Sequence, residues 1–73
     1  MSIDRAMGEM TVNGDPAPVP EPATIGGLLD ALGIKPGRVV VELNGTIYRR
    51  GEGLDRDVAA GDVVEIVHFV GGG

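Results

Sequence analysis

Only one stretch of this chain carries a helical period, and it is short: TIGGLLDALG, residues 24–33. Ile25, Leu28, Leu29 and Leu32 fall at i, i+3, i+4 and i+7, which makes one apolar stripe. Thr24 is placed to cap the first turn through its hydroxyl. Gly33 suits the left-handed residue after the last turn, and Pro36 prevents continuation. Gly26 and Gly27 each cost up to about 1 kcal/mol relative to alanine, and so brief a helix does not persist alone. Burying its large apolar side chains, at about 1.5–3 kcal/mol each, must hold it against another element. The remaining periodic segments alternate, so that element is a sheet.

The clearest strand unit is RVVVELNGTIYRR. Two alternating runs flank Asn44-Gly45, the pair preferred in a two-residue type I′ turn. Pairing Leu43 with Thr46 sets Val41 opposite Tyr48 and Glu42 opposite Ile47. Val39, Val41, Leu43 and Tyr48 then share one face, and Val40, Glu42, Ile47 and Arg49 the other. Upstream, Met10 and Val12 alternate with Glu9 and Thr11 before a second Asn-Gly, Asn13-Gly14. PAPVPEP follows, too rich in proline for a central strand; a short edge strand near Val19 and an extended loop both fit it. The loop GEGLDRDVAAGD carries Leu54 and Val58 as apolar anchors. The last strand runs from Val63 to Phe69. An unpaired carboxylate is costly to bury, so Glu65 points out with Val63, Val67 and Phe69, while Val64 and Ile66 point in. The order is strand, edge strand or loop, helix, hairpin, loop, strand. One helix covers one face of a mixed sheet of four to five strands, a two-layer α+β domain.

Several function classes are excluded by composition. The 73 residues hold one core and leave little room for a catalytic pocket. There is no cysteine, so disulfides and thiolate chemistry are absent, and the single histidine, His68, cannot build a His-rich metal site. His68 has the opposite parity to Val67 and Phe69 and reads as structural or rim-exposed. No apolar run approaches a membrane span and no signal peptide is evident, so the chain reads as soluble and cytoplasmic. Eleven acidic against six basic residues give a net charge of −5. The scattered cations do not form a nucleic-acid surface, whereas an acidic domain suits partners with basic clefts.

With one helix available, the other face of the sheet stays uncovered. It holds Val40, Ile47, Val67 and Phe69 among Glu42, Glu65 and Arg49, and these four apolar residues are the candidate partner-docking face. The chain then ends in Gly71, Gly72 and Gly73. Val70 to Gly73 reach about 13 Å when extended, thin enough for a narrow channel in another protein.

In this order, ATIGGLLDALG, VVVELNGTIYRR and above all GDVVEIVHFVGGG resemble the thiamine-biosynthesis sulfur carriers of the ThiS family, over roughly Met10 to Gly73. The resemblance implies the ubiquitin-like β-grasp fold, with the domain over 10–70 and a flexible glycine tail over 71–73. Residues 1–9, where little periodicity shows, read as a flexible extension that departs from the family's usual compact start. Met7 and Met10 are alternative starts. It implies that the chain is not an enzyme but the protein co-substrate of one. A ThiF-like adenylating enzyme would activate the carboxylate of Gly73 with ATP. Sulfur from a persulfide donor would replace AMP to leave a thiocarboxylate, and thiazole synthase, ThiG, would take that sulfur into the thiazole ring. ATP and metal belong to the activating partner and no cofactor to this chain. A free α-carboxylate, with a pKa of about 3.3–3.7, is ionised and a poor acyl electrophile, which is why activation is needed. Gly73 carries the reactive group, and Gly71 and Gly72 the reach.

Other fates fit the same residues. A carrier for molybdopterin synthesis or tRNA thiolation would share the fold, although VEIVHFVGG lacks the proline-rich approach usual in molybdopterin carriers. A protein modifier forming an isopeptide bond through Gly73 would begin with the same adenylate. A plain interaction domain would use the face and leave the tail inert.

Overall fold

The computed structural model describes residues 8–69, and expectations placed on 1–7 and 70–73 lie outside them. Among the described residues the named strands and helix follow in the order β1 (Glu9–Val12), β2 (Asp15–Pro18), α1 (Ile25–Ala31), β3 (Val39–Leu43), β4 (Thr46–Tyr48) and β5 (Val63–His68). A 3₁₀ turn, Pro36–Arg38, leads into β3. The sheet order is β2-β1-β5-β3-β4. β5 runs parallel to β1 and antiparallel to β3, so the last strand of the chain is the middle strand of the sheet.

Both Asn-Gly pairs turn hairpins as their chemistry requires. Asn13 and Gly14 have φ of 50° and 87°, Asn44 and Gly45 of 50° and 91°, the left-handed pair of a type I′ turn. The second hairpin has the expected register, with Leu43 opposite Thr46, Glu42 opposite Ile47 and Val41 opposite Tyr48. The first answers the open question about the proline-rich segment. β2 is an edge strand in which Pro16 pairs with Thr11 and Pro18 with Glu9. A two-residue hairpin turns the backbone of these alternate positions away from β1, so the missing N–H groups face outward and no ladder bond is lost.

α1 shows how a short helix is held at both ends. The Thr24 side chain accepts from the Gly27 N–H at 3.0 Å. The Ile25 and Gly26 N–H groups donate to the carbonyls of Arg56 and Leu54, at 2.9 and 2.8 Å. The loop before β5 therefore supplies partners that a helix start lacks. At the other end Gly33, at φ 71°, donates to the Asp30 carbonyl and Ile34 to that of Leu29, a Schellman motif. This corrects one sequence expectation. Leu32 was assigned to the buried stripe but is 47% exposed. The helix ends at Ala31, and the left-handed turn at Gly33 swings Ile34 against the core where a further helical turn would have put Leu32.

The core between the layers consists of Met10, Ile25, Leu28, Leu29, Val39, Val41, Val58, Val64 and Ile66. Leu54, Ile34, Val12, Leu43 and Tyr48 pack around it. Val64 and Ile66 thus point in, as the position of Glu65 required.

Candidate functional site: the open sheet face and the tail exit

The outward parity of β3, β4 and β5 sets a row of side chains on the face opposite α1. Val40 pairs with Val67, and Glu42 lies between Glu65 on one side and Ile47 on the other. Ile47 is 55% exposed, Val67 60% and Phe69 45%, while Val40 is half-buried beneath its neighbours. Val40, Ile47 and Val67 therefore lie on the sheet face away from the helix layer, while Phe69 stands one residue past the end of β5. Glu42 and Glu65 stand directly opposite each other. Like charges in that position do not stabilise a sheet, so the pair does not hold the fold.

β5 is anchored on both sides. Val63 donates to the Asn44 side-chain oxygen at 2.9 Å, and Ile66 to that of Asn13 at 2.7 Å. The two turn asparagines thus clasp the same central strand from opposite sides. Asp62 completes the Asn44 side, accepting from the Asn44 side-chain amide at 3.1 Å and from the Ala59 N–H at 2.8 Å. Sequence reading treated each Asn-Gly as a turn alone. Nothing in the pattern says that these amides reach a strand 19 and 53 residues further on.

The chain leaves this anchored strand at Phe69. The Phe69 N–H donates to the Arg38 carbonyl at 3.0 Å, which extends the β3 ladder by one step. The guanidinium of Arg50 lies 4.7 Å from the centre of the Phe69 ring, within cation–π range. On the helix side, Gly33, Ile34, Lys35, Arg38, His68 and Phe69 line one shallow groove. His68 is exposed there and pairs with Val39 across the sheet. Lys35, Arg38 and Arg50 at the exit were not singled out by sequence reading. Lys35 and Arg38 stand at the two ends of the 3₁₀ turn before β3 and Arg50 follows β4, and the fold brings these two segments to Phe69. Gly71, Gly72 and Gly73 follow beyond the described residues. Among the described residues no group of His, Asp and Glu side chains could hold a metal ion. No helix there is long and apolar enough to cross a membrane.

Residues 10–73 match the ThiS family. The chain belongs to that family. A solved structure of the thiamine biosynthesis protein ThiS from Geobacter metallireducens is 39% identical, with a TM-score of 0.67 over 89% of this chain and 99% of that one. The five-stranded mixed sheet on one helix is therefore the ubiquitin-like β-grasp of this ThiS-family chain, as the resemblance implied. A thiazole synthase of Magnetococcus marinus is 39% identical over 62 residues, which are 85% of this chain. The chain spans only 19% of that relative's length.

Proposed function

We propose that this chain is a sulfur carrier for thiamine biosynthesis, with Gly73 as the loaded end. The observation that carries the reading is the position of β5. β5, which precedes the glycine tail in the chain, is the middle strand of the sheet and carries exposed Val67, with exposed Phe69 just past its end. A partner that grips the open face thereby holds the start of the tail at a defined place. The tail's reach of about 13 Å then delivers the terminal carboxyl into a recessed site. Family membership supports the carrier role. A segment like this chain within a much longer thiazole synthase supports a thiazole synthase as the partner that takes the sulfur.

The chemistry would run on the partner. A carboxylate oxygen of Gly73 attacks the α-phosphorus of ATP and pyrophosphate leaves, giving an acyl adenylate. The terminal sulfur of a persulfide attacks the acyl carbon and AMP leaves. This leaves an acyl disulfide to the donor. A second thiol attacks the donor-side sulfur and forms a disulfide with it, and the thiocarboxylate leaves on Gly73. In this reading the folded body contributes recognition and placement, which is where proximity has its value.

The test is to incubate the chain with a ThiF-like adenylating enzyme, ATP and a persulfide donor, then measure its intact mass. Replacement of one oxygen by sulfur at Gly73 is expected. An unchanged mass with a competent enzyme would remove the carrier reading. Deletion of Gly73 is expected to abolish loading and leave the unfolding curve in place.

A further inference from the structure

We propose that Lys35, Arg38 and Arg50, gathered around Phe69, form a cationic collar that grips carboxylates on the rim of the partner's channel. The inference rests on the carrier reading and adds the kind of surface the partner must present. The chain carries eleven acidic and six basic residues. Half of its cations nevertheless meet at the one point where the tail departs. Lys35 and Arg38 line the groove beside Phe69, and the Arg50 guanidinium lies over its ring. A guanidinium over an aromatic ring can still offer N–H groups to a carboxylate at two points.

Distance decides between two anionic targets. With the tail extended, the terminal carboxyl lies about 13 Å past the collar, beyond the reach of an arginine side chain. A nucleotide bonded there would not touch the collar, whereas the mouth of the channel would. Acidic protein side chains are therefore the occupant, and a phosphate is not. The arrangement also gives orientation. Glu42 and Glu65 on the mid-face and the cations at the exit make the docking surface dipolar, so only one approach places the tail over the channel.

Exposed charges of this kind act on association more than on residence. The full chain is to be mixed with the adenylating enzyme without ATP, and association and dissociation rates measured across a salt series. For the wild type, association should slow steeply with added salt. Arg38→Glu and Arg50→Glu should each slow association on the order of threefold to tenfold and flatten the salt dependence, with dissociation changed by less than about twofold. Arg56→Glu makes the same change in net charge away from the exit, where Arg56 lies over the Tyr48 ring, and should keep the wild-type rates. Circular dichroism should show all three variants folded. Equal slowing by Arg56→Glu would mean that net charge alone matters and would overturn the proposal, as would wild-type rates in the collar variants or absence of binding by the wild type. Binding with the expected charge dependence but no sulfur on Gly73 would sink the carrier chemistry and leave the collar standing.

Discussion

Gly27 shows how one side chain's absence decides a local contest. By helix propensity, Gly27→Ala should stabilise α1 by up to about 1 kcal/mol. The added methyl, however, would overlap the backbone carbonyl of Pro22. Backbone cannot rotate aside like a flexible side chain, and overpacking costs about 1–3 kcal/mol. The clash outweighs the propensity, so Gly27→Ala is expected to lower the midpoint of denaturant unfolding. A higher midpoint would show that the segment before α1 is free to move. Asn13 makes the complementary case. Asn13→Gly keeps the left-handed turn but removes the acceptor of the Ile66 N–H. A loss of about 1 kcal/mol is expected in chemical unfolding. No loss would mean that water replaces the amide fully. In both residues the turn or helix role was legible from type and neighbours, and the contact was not. Period and propensity describe what lies within a few residues along the chain. Pro22 above Gly27 and Ile66 beside Asn13 are matters of distance through space.

The end of α1 separates two readings of an apolar pattern. Leu32 fits the stripe by spacing, yet it is 47% exposed, while Ile34 outside the stripe packs on the core. Both Gly33 and Pro36 were visible as stop signals, so the error lay in extending the period one residue past the last helical turn. Ile34→Ala should therefore cost about 1–2 kcal/mol for its lost half-buried surface, and Leu32→Ala less than about 0.5 kcal/mol. Thermal unfolding of the two variants compares them directly, and the reverse order would mean that the helix continues. The hairpin of β3 and β4 was legible to the register, because an Asn-Gly turn of two residues leaves one way to align its strands. The proline-rich β2 was not, because whether an extended segment pairs depends on which edge is open to it.

The molecule as a whole is a two-layer body with one covered and one open face. Side chains on the open face contribute little to the fold, so Ile47→Ser and Val67→Ser should each shift stability by less than about 0.5 kcal/mol. If that face docks the adenylating enzyme, the same changes should raise the apparent KM for loading about tenfold, with kcat retained. Unaltered KM in both variants would move docking elsewhere. The carboxylates and cations on this surface give the charge balance a geography that a net charge of −5 conceals.

Alternation, the single helical period and the two Asn-Gly turns were enough to set β1, the helix start, the β3–β4 register and the inward or outward sense of Val63 to Val67 in β5. All of these depend on interactions between near neighbours. Folding alone placed β5 between β1 and β3, joined the two asparagines to it and drew Lys35, Arg38 and Arg50 to the tail exit. Those outcomes need segments far apart in the chain to close on one another. A linear pattern can say which face of a strand is apolar, but only packing three elements into one core selects the strand's neighbours and the charges that stand at its end.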